Sequence, residues 1–167
     1  MSLPTQKVLV PVRGGELAVF QYGDGSGAPV LLIHGVTSSN RAFQLFADAL
    51  IARGKAPFAV DLRGRGDSNS LPGPFGMKQH AEDMAAVIDH FGWSNPDVIG
   101  HSMGGKMAWS LAAAQAQRVQ ALVLMAPDGF PETKDIGSKP YEVPAVMGVI
   151  KYFLPKYLVK KSIEPAF

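Results

Sequence analysis

Four short runs made almost wholly of apolar residues recur along the chain: P-V-L-L-I at Pro29–Ile33, A-P-F-A-V-D-L at Ala56–Leu62, D-V-I-G at Asp97–Gly100 and V-Q-A-L-V-L-M-A at Val119–Ala126. Runs this short and this apolar suit strands covered on both faces. Between them lie stretches with helical spacing. Ala42, Phe43, Leu45, Phe46, Ala49 and Leu50 mark one face of Arg41–Ala52; Met77, Ala81, Met84, Ile88 and Phe91 mark one face of Met77–Phe91; Met103–Ala116 is rich in alanine. Strand and helix in strict alternation leave little choice but a mostly parallel sheet with helices on both faces.

Two further strands precede this alternation. Lys7–Val12 and Glu16–Tyr22 flank Gly14-Gly15, the signature of a hairpin. The predicted order is therefore β-β-β-α-β-α-β-α-β. After Pro127 the pattern changes: prolines become frequent, and Val143, Val146, Met147, Ile150, Phe153 and Leu154 follow helical spacing up to Pro155. Residues 1–127 are expected to form an α/β core and residues 128–167 the beginning of a helical cap.

The bulk numbers narrow the function. With 167 residues, 47% of them apolar and 18% charged, the chain has enough material for one packed domain. A net charge of +2, with basic residues scattered apart from Lys156, Lys160 and Lys161, gives no reason to expect a nucleic-acid partner. The absence of cysteine removes disulfides and thiolate metal sites, and fits a reducing, cytoplasmic compartment. No N-terminal leader pattern and no uninterrupted apolar stretch of membrane-spanning length is found. The run Gly148–Lys161, G-V-I-K-Y-F-L-P-K-Y-L-V-K-K, reads as a cap helix over a site mouth, with an interfacial lipid-touching helix as the alternative. Nothing in the sequence calls for a metal or an organic cofactor.

The chemistry is concentrated at V-I-G-H-S-M-G-G, residues 98–105. A strand that turns straight into a helix needs a sharp reversal, with small residues two positions either side of its tip. Gly100 and Gly104 occupy those positions around Ser102. The serine would then stand at the C-terminal edge of a parallel sheet and at a helix N-terminus, both suited to binding a group that gains negative charge. Two other stretches follow strands in the same way: I-H-G-V-T-S-S at Ile33–Ser39 and D-L-R-G-R-G-D-S at Asp61–Ser68.

With these three motifs in this order, the chain resembles the α/β-hydrolase family over roughly Lys7–Pro127. The resemblance implies that Ser102 attacks a carbonyl carbon, and that the backbone N–H groups of Val36 and Met103 hold the resulting oxyanion. A serine at this position disfavours the dehalogenase and epoxide-hydrolase branches. The apolar tail points to an ester with an apolar acyl or alcohol group as the small-molecule substrate.

A serine also needs a base. The resemblance implies a histidine after the last strand of the full fold and an acid before it. His34 belongs to the H-G loop, His80 and His90 lie on the helix Met77–Phe91, and His101 adjoins the serine but should point away from it. Asp128, in A-P-D-G-F, is either an alternative acid or a turn residue before Gly129. Arg63 and Arg65 read as structural rather than as substrate ligands. The expectation is a chain that carries the nucleophile and oxyanion machinery, with the base and two further strands supplied by another segment or chain. Alternatives to an esterase are a hydrolase of carbon–carbon bonds in vinylogous diketones and a non-catalytic binding module that kept the turn without the base.

Overall fold

The computed structural model describes residues 3–127. The expected cap (residues 128–167), Asp128 and the basic tail lie outside the described residues. Six strands form one sheet: β1 (Gln6–Val12), β2 (Gly15–Gln21), β3 (Ala28–Ile33), β4 (Lys55–Val60), β5 (Asp97–His101) and β6 (Leu122–Met125). Their spatial order is β1-β2-β4-β3-β5-β6. The hairpin β1–β2 is antiparallel and joins β4 antiparallel, while β4, β3, β5 and β6 run parallel to one another.

This order explains why helices cover both faces. The connection from β3 to β4 steps one way across the sheet, and those from β4 to β5 and from β5 to β6 step the other way. Right-handed crossovers then put α1 (Gln44–Ile51) on one face, and α2 (Met77–His90) and α3 (Met103–Ala114) on the opposite one. Alternation along β3 divides the core accordingly. Leu31 and Ile33 pack with Met84, Val87 and Ile88 of α2 and Met107 and Leu111 of α3. Val30 and Leu32 pack with Phe43 and Ala47 on the α1 side. These four residues of β3 are at most 1% exposed, as the apolar run at its C-terminal end requires.

Two boundaries differ from the sequence reading. The segment predicted as a helix from Arg41 begins with a 3-10 turn, Asn40–Phe43, and becomes α-helical only at Gln44. Asn40 is fastened through its backbone and its side chain to Asp61, which fixes how the chain enters the helix. The last strand starts at Leu122 rather than Val119. Val119 closes a 3-10 turn over Ala116–Arg118, and the Gln120 N–H donates to the Pro96 carbonyl instead of joining a ladder. Among the described residues β6 pairs only with β5, and Leu122, Val123 and Met125 are exposed. No helix of the described residues is long and apolar enough to cross a membrane.

One buried ion pair ties the sheet to the helix layer. Arg63, 1% exposed, donates from Nε and Nη2 to the two carboxylate oxygens of Asp83 on α2, at 2.9 and 2.8 Å. Its remaining donors reach the Pro72 carbonyl and, in the hairpin turn, the Arg13 carbonyl, both at 2.8 Å. Removing Asp83 would leave a desolvated guanidinium without its counter-ion, so Asp83→Ala is expected to cost about 3–5 kcal/mol. Chemical denaturation would show this as a lower midpoint at unchanged slope, and the double variant R63M/D83L should lose less than the sum of the two single changes.

Candidate active site

The strands β3 and β5 are parallel neighbours, with Ile33 opposite Gly100. The chain leaves β3 toward one edge of the sheet and β5 toward the other, so a crevice opens between their C-terminal ends. The residues after β3, His34–Ser39, and the residue after β5, Ser102, meet at this crevice. A methyl group on Gly35 would lie 3.3 Å from the Ser102 Cβ, which measures how closely the loop approaches the serine.

Ser102 has φ 53° and ψ −121°, in the region that side chains with a Cβ rarely enter. Its backbone is held on both sides. The N–H donates to the Met125 carbonyl on β6 at 3.0 Å, and the carbonyl accepts from the N–H groups of Gly105 at 2.9 Å and Lys106 at 3.2 Å. The glycines two positions away are required by space. A methyl group at Gly104 would sit 2.6 Å from the carbonyl oxygen of His34, and one at Gly100 would sit 2.7 Å from the Gly105 Cα. The outcome is a half-exposed serine at the first turn of α3.

Val36 follows Gly35 in the loop that approaches Ser102, and Met103 follows Ser102 as the first residue of α3. Among the described residues neither backbone N–H donates to another protein group. Val36 is half-buried and Met103 likewise. The loop that carries Val36 is tied down from below by His34. This side chain is wholly buried: its Nε2 accepts from the Leu62 N–H at 3.1 Å, and its Nδ1 lies 2.7 Å from the Gly35 carbonyl oxygen. Burial holds the His34 pKa below the usual imidazole value.

The segment after β4 supplies the remaining fastenings. Asp61 accepts at Oδ1 from the Asn40 N–H at 2.6 Å and from Asn40 Nδ2 at 3.0 Å, and at Oδ2 from the Asp67 N–H at 2.8 Å. Ser68 Oγ accepts from the Ala18 N–H at 2.9 Å. Arg65 donates from Nε to the Val36 carbonyl at 2.6 Å and from Nη1 to the Gly64 carbonyl at 3.1 Å. Arg63 and Arg65 thus both bond protein carbonyls, in keeping with their reading as structural residues. The partners Asn40, Asp83 and Leu62 carried no signal in the sequence, because each lies some 20 or more residues from the group it meets.

None of the four histidines hydrogen-bonds to Ser102. His34 is committed to Leu62 and Gly35. His101 is exposed, with its ring beside Gly35. His90 is exposed and lies edge-on to Phe91. His80 is buried on α2, and among the described residues its Nδ1 has no hydrogen-bond partner. A separate open cavity of about 870 Å³, with Phe20, Asn40, Arg41 and Asp61 in its walls, does not include Ser102.

Comparison with known proteins gives a consistent family. The family model described as alpha/beta hydrolase fold matches residues 28–158. The chain is 39% identical over 113 residues to the lipase LipV of Mycobacterium tuberculosis, covering 67% of this chain and 42% of the lipase. Among solved structures, an epoxide hydrolase from an endophytic Streptomyces matches at 30% identity with a TM-score of 0.66, over 71% of this chain and 36% of that one. An esterase from Exiguobacterium antarcticum matches at 27% identity with the same TM-score, over 73% of this chain and 46% of the esterase. The chain thus spans less than half the length of each of these proteins.

The buried histidines make stability depend on pH in a defined direction. Desolvation pushes His80 down from 6.5 to about 4; Asp83 opposes the shift, and the charges of Arg63 and Arg65 and the His34 ring reinforce it. The unfolded chain therefore binds the proton first as pH falls. The contribution of neutral His80 is fully present above about pH 6.5, is lost progressively between about 6.5 and about 4, and falls no further below that. Denaturation midpoints measured across this window should drop toward acid, and His80→Leu should flatten that drop.

Proposed function

The chain belongs to the α/β-hydrolase fold family, and on that footing we propose that it is a serine hydrolase that cleaves carboxylic esters through an acyl-enzyme on Ser102. The observation that carries this reading is the backbone of Ser102. A non-glycine residue held at φ 53° costs about 1–3 kcal/mol, and three backbone hydrogen bonds keep it there. That arrangement serves to present a hydroxyl at the crevice, beside two amides that bond nothing else among the described residues.

In the proposed reaction the Ser102 oxygen attacks the ester carbonyl carbon, and its proton passes to a base. The carbonyl oxygen becomes an oxyanion facing the N–H groups of Val36 and Met103. These donors are backbone groups on fixed supports, so they need no reorganisation as charge develops, and each is worth about 3–4 kcal/mol of barrier. The positive end of the α3 dipole adds to them. Collapse of the tetrahedral adduct expels the alkoxide, which takes the proton from the base. Water then repeats the sequence on the acyl-enzyme, releases the acid and restores Ser102. No imidazole among His34, His80, His90 and His101 bonds Ser102, so the base is a group other than these four as they are placed here.

The serine also bears on the choice among relatives. One similar structure is an epoxide hydrolase, but a serine hydroxyl suits acyl transfer, and the lipase and esterase matches agree with that chemistry. The stretch Gly148–Lys161, rich in apolar residues, adds the expectation of an apolar acyl or alcohol group.

The test is covalent. A fluorophosphonate probe should label the full-length protein at Ser102, and Ser102→Ala should abolish labelling and reduce nitrophenyl-ester hydrolysis by about 10⁴-fold or more. Turnover of a ring-cleavage diketone or of an epoxide with no ester hydrolysis would overturn the reading. So would an unlabelled protein with no turnover, which would favour a binding module.

A further inference from the structure

The two carbonyls on either side of the Val36 amide are each captured by a side chain that does nothing else to the crevice. The Gly35 carbonyl meets His34 Nδ1 at 2.7 Å, and the Val36 carbonyl meets Arg65 Nε at 2.6 Å. From this geometry we infer that His34 and Arg65 are positioning residues that aim the Val36 N–H at the reacting carbonyl oxygen. The inference deepens the serine-hydrolase reading and rests on it for the identity of the group being aimed at.

The argument begins with the shape of the peptide unit. In a trans peptide the C=O and the N–H point in opposite directions. The Gly35 carbonyl and the Val36 N–H belong to one such unit, so fixing the carbonyl fixes the amide. His34 fixes it, with help from the Ser38 N–H, which also donates to the Gly35 carbonyl at 3.2 Å. The next peptide unit carries the Val36 carbonyl, and Arg65 fixes that one. With both units tied, Val36 cannot rotate about φ or ψ without breaking a bond. The Val36 N–H of the first unit is left as the free polar group.

His34 can do this in one protonation state only. Its Nε2 accepts from the Leu62 N–H, so that nitrogen carries no proton. A neutral ring must then carry its proton on Nδ1, where it donates to the Gly35 carbonyl. A doubly protonated ring would turn an N–H against the Leu62 N–H, and the ring is wholly buried with no room to turn away. The support therefore comes from the segment after β4, through an imidazole, to the loop after β3.

Arg65 is suited to its part for a different reason. It is half-buried, and among the described residues no carboxylate pairs with it. Its Nε and Nη1 are spent on carbonyls of the loops themselves. This contrasts with Arg63, two positions earlier, whose fork is spent on Asp83. The useful atom of Arg65 is Nε, which sits on Cδ. A glutamine places its amide nitrogen on the same carbon, so it keeps the donor and drops the charge. A lysine keeps the charge and moves the donor one bond further out. A methionine has neither.

The experiment compares wild type with R65Q, R65K and R65M by two measurements. The first is the backbone order parameter of the Val36 amide by ¹⁵N relaxation, which needs no activity. It should stay near the rigid value of about 0.85 in wild type and R65Q and fall in R65K and R65M. The second is the rate of Ser102 labelling by a fluorophosphonate. Its limiting rate should fall about tenfold or more in R65K and R65M, with the probe's half-saturation little changed, and R65Q should recover most of the loss. A long-range ¹H–¹⁵N correlation of the His34 ring completes the test by showing Nδ1 protonated and Nε2 bare.

An Nε2-protonated His34, or a Val36 amide equally rigid in all four proteins, overturns the inference. A loosened Val36 with unchanged labelling overturns it too, because the clamp then has no catalytic consequence. Faster labelling in R65K than in R65Q would assign Arg65 an effect through charge and refute positioning through Nε. Absence of labelling in wild type would sink the nucleophile reading instead, and the clamp would be judged on the Val36 order and the His34 tautomer alone.

Discussion

Position 104 has no space for a side chain, and much of the site follows from that. The first turn of α3 lies directly against the carbonyls of Ile33 and His34, close enough that one methyl group would collide with both residues. Parallel neighbours in a sheet are about 4.8 Å apart, so a helix that begins at the end of β5 necessarily crowds the end of β3. One residue is left to reverse the chain, and it does so at positive φ. The crowding that strains Ser102 also brings it against Gly35. Exposure of the serine and its nearness to the H-G loop are two results of one packing constraint.

Crowding alone would leave the loops free to move sideways. They are held by polar groups buried at the ends of the strands, each matched to a backbone partner: Asp61 to Asn40 and Asp67, His34 to Leu62 and Gly35, Ser68 to Ala18, Arg63 to Arg13 and Pro72. Burying such groups is costly unless they are paired, and here nearly all are. Among the described residues the exception is His80 Nδ1 on α2, which has no hydrogen-bond partner. Burial, with the nearby charges of Arg63 and Arg65, keeps this imidazole neutral at neutral pH, so it adds no third cation there. These hydrogen bonds thereby hold the loops in a chain that has no cysteine to cross-link them.

The parts of this arrangement differ in how far the sequence reveals them. The unbroken apolar run at Pro29–Ile33 and the glycines around Ser102 respond to local geometry, and local geometry leaves a local pattern. Alternation of strand and helix is enough to place helices on both faces. Boundaries set by distant contacts leave no such pattern. Nothing near Asn40 says that Asp61 will draw it into a 3-10 turn, and nothing near Val119 says that Gln120 will bond Pro96 rather than a neighbouring strand. Arg63 and Asp83 are separated by 20 residues of loop and helix, and their pairing exists only once α2 is docked on the sheet. The sharp turn at Ser102 was legible because it has a motif around it. Its supports were hidden because they act on main-chain atoms, which every residue has.

The same distinction bears on how such a site tolerates change. The Val36 amide belongs to the backbone, and many residues at position 36 would supply it equally well. Selectivity at the level of sequence must therefore fall on whatever fixes the direction of that amide: a buried imidazole in the right tautomer at 34, a donor on Cδ at 65, and an acceptor-free approach between them. Under the proposed function, residues that never meet a substrate become as constrained as Ser102. The D-L-R-G-R-G-D-S segment is then best understood as the outer wall of the loop at 34–40. Its Asp61 and Arg65 hold that loop in place while Arg63 anchors the wall itself to α2 and the hairpin.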